Sequence, residues 1–277
     1  MDSYGEALRH GVQRLRVAGV GSPEWDTRIL ISHLIHCGHL DIPLHEPPMP
    51  GFQVAFEALL RRREQREPLQ YVLGTAWFGP LDLKVGPGVF IPRPETEVMA
   101  DWAVHHAPGR RMVDLCSGSG ALALYLQHYV PQAEVRAVEL SDAALEFTRA
   151  NAHGTRVEVV QADATDSQTL ADWNGTVDLI VSNPPYVPED PNLQPEVYHD
   201  PHVAVFGGDD GMGVIRGLIP TIARLLRPGG VMAIEHDDTT GDAVRDAVRD
   251  HGGFSHIAPL RDLTGTPRFI TARRAVD

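Results

Sequence analysis

A run of four residues, Asn183-Pro184-Pro185-Tyr186, follows an apolar segment at 177–180 that is typical of a buried strand. The carboxyl end of such a strand is the usual place for a ligand in an open α/β sheet. Neither proline has an N–H group, and each holds the residue before it in an extended conformation. The Asn183 side-chain oxygen and the Pro184 carbonyl thus form a rigid pair of hydrogen-bond acceptors, beside the flat face of Tyr186. This arrangement predicts a site for a planar substrate that carries an NH2 group.

A glycine-rich turn lies upstream of these residues, between a predicted strand over 112–115 and a predicted helix over 121–129. Gly118 and Gly120 in this turn allow the backbone to approach a ligand closely, as in nucleotide-binding α/β domains. Glu139 ends the next predicted strand about 20 residues further on, where an acidic residue typically binds a ribose diol. These features predict a site for a ligand that contains a nucleoside.

The glycine spacing alone leaves the cofactor open, because Gly118 and Gly120 followed by Ala123 also fit a loose nicotinamide-dinucleotide pattern. Two acidic residues favour S-adenosylmethionine. Asp114 precedes the turn and can offer a carboxylate to an ammonium group, and Asp163 follows the third predicted strand and can meet an adenine amino group. Each acid alone could be a solvated strand end, whereas three acids at successive strand ends indicate a common site.

Cys116 lies inside the glycine-rich turn, and its thiol could be considered as a nucleophile. The sequence offers no base that is paired with it, so we interpret Cys116 as a packing residue of the turn. The histidines at 105–106 and within 199–202 do not have the spacing of known metal sites. We therefore predict no metal.

Strand and helix patterns alternate from about residue 110 to the C-terminus, which predicts a largely parallel sheet with helices between its strands. A stretch rich in proline and acidic residues, 187–210, is predicted to be a functional loop because of its length. The predicted strands are 112–115, 135–140, 157–160, 177–180, 231–235, 255–259 and 268–272. The predicted helices are 121–129, 141–152, 211–226 and 241–251.

Residues 1–67 are predicted to form a small all-α domain that docks the substrate. Ser3 and Glu6 have the spacing of a capping box before the first helix, and Pro23 opens the second. The third predicted helix ends in a basic run at 61–66, which we interpret as a solvated helix end near the negative pole of the helix dipole. A docking surface for an acidic partner is the alternative interpretation of this run.

Residues 68–98 are predicted to form a β-hairpin and a linker between the helical domain and a larger domain over 99–277. The strands of the hairpin are expected at 70–74 and 81–85, where strand-forming residues alternate with others. The linker contains Arg93 between two prolines, and it could also lie over the active site.

The net charge of −13 argues against broad binding to a phosphate backbone, which requires a basic surface. The two cysteines, Cys37 and Cys116, lie far apart, which indicates a reducing compartment. The N-terminus lacks the pattern of a signal peptide, and no apolar run approaches the roughly 20 residues that span a bilayer. We therefore expect a cytoplasmic protein, without membrane or direct nucleic-acid partners, and a monomer.

Several motifs together identify a family. They are Gln70-Tyr71-Val72-Leu73-Gly74, Phe78-Gly79, Ile91-Pro92-Arg93-Pro94-Glu95-Thr96-Glu97, Asp114 to Gly120, Asn183 to Tyr186 and Gly207-Gly208-Asp209-Asp210-Gly211. With these residues the chain resembles, over essentially its whole length, the HemK-like release-factor glutamine methyltransferases. The resemblance implies methylation of the glutamine in the Gly-Gly-Gln motif of class I peptide-chain release factors. It also implies a class I methyltransferase domain, Rossmann-like and with a seven-stranded sheet, which uses S-adenosyl-L-methionine and releases S-adenosyl-L-homocysteine.

The resemblance also assigns roles to individual residues. The cofactor loop is implied to consist of Cys116, Ser117, Gly118, Ser119 and Gly120. Glu139 is implied to bind the ribose, and Asp163 with Ala164 to border the adenine. Asn183, Pro184, Pro185 and Tyr186 are implied to hold the glutamine amide, with Asn183 between cofactor and substrate.

The chain departs from the family pattern at a few positions. Cys116 stands where glycine is usual, and Ala164 stands where a bulky or aromatic residue is common. Asp200 replaces a glutamate before Pro201, and His236 stands where a small or apolar residue is common. Adenine stacking at Ala164 is therefore in question, whereas the other elements of the site are present.

Three alternatives stay open from the residues alone. An adenine-N6 methyltransferase would use the same acceptors, but it needs a basic channel and a flipped base, which the charge of −13 opposes. Methylation of glutamine in another protein would use the same chemistry. A non-catalytic cofactor-binding module is disfavoured by the intact run from Asn183 to Tyr186.

Overall fold

The computed structural model describes residues 1–106, 109–188 and 200–276. The described residues divide into two compact units, Met1–Thr75 and the chain from Ala76 onward. Each unit has a hydrophobic core of its own. The functional division at residues 67 and 98 stays a prediction.

The first unit consists of helices, as the sequence predicts. They are α1 (Tyr4–Val17), α2 (Pro23–Ile35), α3 (Phe52–Glu64) and the short α4 (Leu69–Leu73). The Ser3 hydroxyl accepts a hydrogen bond from the Glu6 backbone N–H at 3.2 Å, which confirms the predicted cap of α1. Phe56 and Leu60 on α3 are fully buried in the core of this unit, and that burial holds α3 against α1 and α2.

The basic run at the end of α3 is partly internal, so its interpretation as a solvated helix end is wrong for Arg63. The Arg63 guanidinium is buried and donates to Asp26 on α2 at 2.7 Å. Arg62 donates to Glu67 and to the carbonyl of Val72, and only Arg61 of these three arginines is exposed. The run therefore fixes the end of α3 to its neighbours.

Replacing Asp26 by alanine is expected to lower the free energy of unfolding of the first unit by about 3 kcal/mol. The change leaves the Arg63 charge buried without the carboxylate that it contacts. Urea unfolding followed by circular dichroism measures the loss. The exposed Arg61→Ala is the matched control and should change the value by less than about 0.5 kcal/mol. Equal small effects of both changes would show that the buried ion pair does not stabilise the unit.

The hairpin is confirmed, but its first strand was predicted at the wrong place. Residues predicted as the strand 70–74 form α4, which ends at Gly74 with a left-handed φ of 78°. The strands are β1 (Thr75–Phe78) and β2 (Leu81–Lys84). A short apolar run fits both a strand and one buried helical turn, and here the Arg62 side chain binds the carbonyls at the end of that turn.

The second unit is built on a seven-stranded sheet, which confirms the predicted fold class. The strands are β3 (Arg111–Leu115), β4 (Glu134–Glu139), β5 (Glu158–Gln161), β6 (Val177–Ser182), β7 (Leu226–Glu235), β8 (Phe254–Arg261) and β9 (Pro267–Arg274). Their order is β5-β4-β3-β6-β7-β9-β8, and β9 runs antiparallel to both of its neighbours. The order reverses at β3, which pairs with β4 on one side and β6 on the other. Ligands of open α/β sheets bind at such a switch point.

Helices cover both faces of this sheet. They are α5 (Pro94–His106), α6 (Ala121–Tyr129), α7 (Asp142–Ala152), the short α8 (His202–Val205), α9 (Gly213–Leu225) and α10 (Gly241–His251). Successive residues of β6 enter different cores: Leu179 packs in one, with α5 and α6, and Ile180 in the other, with α9 and α10. This explains why the central strands are continuous apolar runs.

The predicted functional loop at 187–210 lies partly outside the described residues, which omit 189–199. Its described end contains α8 rather than irregular chain alone. Val187 pairs with Phe206 next to this helix, so the two ends of the segment lie side by side. In the described ranges, no helix combines the length and the apolar character that crossing a membrane requires.

Candidate active site

One cavity of about 500 Å³ lies at the carboxyl ends of the central strands of the second unit. It brings together residues from every motif predicted to form the site. Of the predicted residues, it is lined by Cys116, Ser117, Gly118, Ser119, Glu139, Asp163, Ala164, Asn183, Pro184, Pro185 and Tyr186. Asp114 and Gly120 are the two predicted residues that do not line it. The assigned roles of these residues stay predictions, whereas their convergence on one cavity is observed.

The glycine-rich turn forms one wall of the cavity. The Ser117 backbone N–H donates to the carbonyl of Val138 at 2.9 Å, which attaches the turn to β4. Gly118 and Gly120 have φ values of 55° and 84°, in the left-handed region that favours glycine. The turn therefore needs its glycines in order to reverse direction between β3 and α6.

Cys116 also has a left-handed φ, of 62°, although it is not glycine. Such a backbone conformation costs about 1 kcal/mol or more for a residue with a Cβ atom. This explains why glycine is usual there. Burial raises the pKa of the Cys116 thiol well above its ordinary value, so little thiolate forms at neutral pH. The interpretation as a packing residue is consistent with this pKa.

Asp114 lies beneath the turn and is buried. Its Oδ2 accepts hydrogen bonds from the Ser117 hydroxyl at 2.7 Å and from the Ala123 backbone N–H at 3.1 Å. Its Oδ1 is buried without a partner among the described residues. Burial is the main cause that raises the pKa of Asp114 to about 7. Ser117 links this carboxylate to the cavity, which the Asp114 side chain itself does not line.

Glu139 holds the turn to the end of β4. Its Oε2 accepts from the Gly118 backbone N–H at 2.7 Å, and its Oε1 accepts from Leu140 and Ser141 at 2.9 and 2.8 Å. A carboxylate oxygen can accept two hydrogen bonds, so Oε2 keeps one position for a further donor. Glu139 can thus stabilise the turn and still bind a hydroxyl group.

Asp163 and Ala164 line the cavity after β5. The Asp163 Oδ1 accepts from the backbone N–H and the hydroxyl of Thr165, at 2.8 and 2.7 Å. These two bonds orient the carboxylate at the edge of the cavity. Ala164 is buried, and its small side chain leaves room where a bulky residue would fill the space.

Asn183 follows β6 directly, at the switch point of the sheet. Leu115 and Ser182 are paired across β3 and β6, so Cys116 and Asn183 are the next residues of adjacent strands. The Asn183 Nδ2 donates to the Thr96 hydroxyl oxygen at 3.3 Å. Among the described residues no donor contacts the Asn183 Oδ1. This oxygen is therefore available as an acceptor, as the sequence predicts.

Two residues of the site were not predicted, Thr96 and Glu235. The Thr96 hydroxyl donates to Glu235 Oε2 at 2.7 Å, and the Tyr186 hydroxyl donates to Glu235 Oε1 at 2.9 Å. Glu235 is buried at the end of β7, and burial is the main cause that raises its pKa to about 7. Glu235 carries the same signal that identified Glu139, because it is an acidic residue at the end of an apolar strand.

Arg93 connects the linker to the chain after residue 199. Its guanidinium contacts the buried Asp200 carboxylate at 2.5 Å and lies 4.9 Å from the centre of the Phe90 ring, which lines the cavity. The aspartate before Pro201 thus retains the carboxylate that this arginine needs. Asp200, although it departs from the family pattern, keeps a carboxylate at this position, and that carboxylate contacts Arg93.

The glycines at 207 and 211 allow the chain to pack against the backbone of the Asn183–Tyr186 run. A Cβ atom on Gly207 would lie 2.7 Å from the Pro185 carbonyl oxygen, and one on Gly211 would lie 2.2 Å from that of Tyr186. Gly211 also has a φ of 70°. This motif is therefore part of the support of the site.

Replacing Gly211 by alanine is expected to lower kcat by at least about 10-fold and the free energy of unfolding by about 3 kcal/mol. The new Cβ collides with the Tyr186 carbonyl and shifts the run that forms the site. Steady-state kinetics and urea unfolding measure the two effects. The matched control is Gly208→Ala, which also has a positive φ but open space around its Cβ. Equal effects at both positions would attribute the loss to backbone strain alone.

Comparison with known proteins supports the fold and identifies the family. The family described as "PrmC N-terminal domain" matches residues 6–74, and the family described as "Methyltransferase small domain" matches residues 94–200. Among solved structures, a methyltransferase from Pyrococcus furiosus has a TM-score of 0.55 at 19% identity, over 72% of this chain and 91% of that one. The catalytic domain of hMettl16, in complex with an RNA hairpin, also has a TM-score of 0.55 at 15% identity, over 72% of this chain and 77% of that one. At these identities the two structures support the fold alone.

Curated relatives are much closer in sequence. A release factor glutamine methyltransferase of Corynebacterium glutamicum is 53% identical over 99% of this chain and 100% of the relative. One of Mycolicibacterium smegmatis is 50% identical over 97% of this chain and 96% of the relative. A 4-amino-L-phenylalanine/4-methylamino-L-phenylalanine methyltransferase of Streptomyces pristinaespiralis is 39% identical over 91% of this chain and 89% of the relative. The chain belongs to the release factor glutamine methyltransferase family.

Proposed function

We propose that this protein transfers a methyl group from S-adenosyl-L-methionine to the side-chain amide nitrogen of a glutamine. The substrate is the glutamine of the Gly-Gly-Gln motif in class I peptide-chain release factors, and methylation there modulates translation termination. The observation that carries the proposal is the Asn183 side chain. It lines the cavity at the switch point of the sheet, beside the glycine-rich turn, and its amide oxygen has no donor among the described residues.

The residues of the cavity fit the cofactor. The buried Oδ1 of Asp114, which has no partner among the described residues, suits a cationic ammonium group close by. The remaining acceptor position on Glu139 suits a ribose hydroxyl, and the oriented Asp163 carboxylate suits an adenine amino group. Two acceptors along the cavity, with a third behind Ser117, suit a ligand that has a ribose, an adenine and an amine.

The bound cofactor supplies a methyl group on a sulfonium, and the chain supplies binding and orientation. An amide nitrogen is a poor nucleophile, because its lone pair is delocalised into the carbonyl. Asn183 Oδ1 and the Pro184 carbonyl would accept the two N–H groups of the substrate amide and favour a less planar nitrogen. Tyr186 would pack on the plane of the amide. Positioning and electrostatic stabilisation then provide most of the rate enhancement, and no covalent enzyme intermediate is needed.

Mass spectrometry of a recombinant class I release factor tests the proposal. The factor is incubated with this protein and S-adenosyl-L-methionine, and the peptide that contains Gly-Gly-Gln is read. One added methyl group on that glutamine is expected, and none with Asn183→Ala. 4-Amino-L-phenylalanine serves as a second substrate, because a relative is named for its methylation. Methylation of this compound, with an unmodified release factor, would overturn the proposal.

Other expectations rest on the same proposal. The partner is the release factor alone, without direct contact to nucleic acid. The adenine-N6 alternative is not favoured, because the curated relatives reported above are named for other substrates. The reaction takes place in the cytoplasm, by a monomer. Size-exclusion chromatography of the protein mixed with its release factor measures whether one copy of this chain is present in the complex, as a monomer requires.

A further inference from the structure

The side-chain amide of asparagine has a carbonyl end and an NH2 end of nearly the same shape. Only one orientation of Asn183 presents the oxygen that the proposed reaction needs, so some neighbour must select it. A hydrogen-bond chain in the described residues does so: Asn183 Nδ2 donates to Thr96 Oγ1 at 3.3 Å, and Thr96 Oγ1 donates to Glu235 Oε2 at 2.7 Å. The first of these bonds is long, and the second is short and buried.

The direction of this chain follows from the number of protons available. A threonine hydroxyl has one proton, and the Glu235 side chain accepts it in the ionised form, which prevails above the raised pKa of about 7. The Thr96 oxygen can then only accept from Asn183, so the NH2 end of the amide faces Thr96 and the carbonyl oxygen remains for substrate. An inverted amide would place two acceptor oxygens against each other.

Glu235 is held in the same way from its other side. Its Oε1 accepts from the Tyr186 hydroxyl at 2.9 Å, and burial raises the pKa of that hydroxyl well above its ordinary value, so it keeps its proton to donate. Thr96 on α5 and Tyr186 in the run after β6 thus both donate to one buried carboxylate, which lies at the end of β7. Glu235 is enclosed, and its two oxygens have their partners within the chain, so it does not itself serve as a substrate contact.

We propose that Thr96 and Glu235 are positioning residues that fix the orientation of the Asn183 amide, with its oxygen free to accept from the substrate. The inference rests on the proposed function, because it assigns to Asn183 the contact with the substrate amide. It adds two residues that act through Asn183: Thr96, which lines the cavity beside it, and Glu235, which is enclosed.

Thr96→Val tests this role, because valine keeps the shape of threonine and removes the hydroxyl. The expected result is a decrease in kcat of about 10- to 100-fold, with KM for the release factor and Kd for S-adenosylmethionine changed less than about 3-fold. Thr96→Ser keeps the hydroxyl and should retain kcat within about 3-fold. A serine variant as slow as the valine variant would overturn the proposal.

A double-mutant cycle separates this role from a general effect on the fold. If Thr96 acts through Asn183, then Thr96→Val in an Asn183→Ala background should lower kcat by less than about 2-fold more. Losses that multiply would overturn the proposal, because they would mean that Thr96 acts by a separate route. Glu235→Ala, which removes the carboxylate that accepts from Thr96, is expected to resemble Thr96→Val in the same cycle.

A spectroscopic experiment tests the orientation without any turnover. The chain has four asparagines, so 15N-asparagine labelling gives few side-chain NH2 signals, and Asn183→Ala assigns the one of interest. Its solvent exchange should accelerate at least about 5-fold in Thr96→Val and stay unchanged in Thr96→Ser, because only the valine variant lacks the acceptor. An unchanged exchange rate in Thr96→Val would overturn the proposal. A wild-type protein that leaves the release factor unmodified would instead reject the proposed function, and the NMR result would still stand.

Discussion

Asn183→Ala is expected to lower kcat about 10²- to 10³-fold while Kd for S-adenosylmethionine changes less than about 3-fold. The reason lies in what Asn183 contacts. Its amide NH2 bonds to Thr96, and its oxygen has no donor among the described residues. The substituted alanine therefore removes a contact that forms with substrate and leaves the bonds of Asp114 and Glu139 in place.

Isothermal titration with the cofactor and single-turnover kinetics with a release factor measure the two quantities separately. Asn174→Ala is the matched control, because Asn174 is an exposed asparagine of the same unit that does not line the cavity. It should retain kcat within about 2-fold. Equal losses of kcat and of cofactor affinity in Asn183→Ala would contradict the division of roles between the two ends of the cavity.

Local sequence signals were enough to predict the parts of the site that lie at the ends of single strands. The turn at Gly118 and Gly120 needs a left-handed backbone, and the prolines after Asn183 fix an extended one, so both can be read from a few consecutive residues. Strand patterns placed these segments at the same edge of a parallel sheet. The switch point between β3 and β6 depends on the order of the strands, which was not predicted and which the structure shows.

The supporting roles of Thr96 and Glu235 could not be assigned in that way. Thr96 and Glu235 are 139 positions apart in the chain, and the supporting role of each depends on the hydrogen bond between them. From sequence alone, Glu235 is only an acidic residue at the end of a strand, because no neighbouring residue indicates which donors will enclose it. Arg63 was misinterpreted for the same reason, since its partner Asp26 lies on another helix.

The hairpin shows a different limit. Residues 70–74 contain strand-forming side chains, but tertiary contacts decide the conformation of so short a run. The Arg62 side chain donates to the carbonyls of Tyr71 and Val72, which a strand would direct elsewhere. The intrinsic preference of these residues for a strand is weaker than two charge-assisted hydrogen bonds, and the run is therefore helical.

Asp114→Asn is expected to weaken the binding of S-adenosylmethionine by about 100-fold. The change keeps the size of the side chain, and the acceptor for Ser117 and Ala123 can be retained. It replaces the buried oxygen that lacks a partner among the described residues with an NH2 group. A cationic ammonium group would then meet a donor instead of a negative charge. Titration calorimetry at pH 8 measures the loss, and an unchanged affinity would exclude Asp114 from cofactor binding.

The same variant should change how stability depends on pH. The pKa of Asp114 is raised in the folded protein to about 7, above the value of about 3.8 that an unfolded aspartate has. The stability that this group contributes is therefore complete below about pH 4 and is lost as the pH rises through 7. The substituted asparagine cannot ionise, so the ligand-free variant should gain about 2 kcal/mol relative to the wild type between pH 5 and pH 8.

Urea unfolding of the ligand-free proteins across this range measures the gain, with the exposed Asp238→Asn as a control that should show none. Both effects have one cause, since the chain buries a carboxylate whose Oδ1 has no partner within the described residues and thereby loses stability in order to bind a cation. A variant that lost affinity without gaining stability as the pH rises would mean that Asp114 is already ionised in the folded protein at the pH where an unfolded aspartate ionises. Burial of its charge would then not lower the stability of the ligand-free protein.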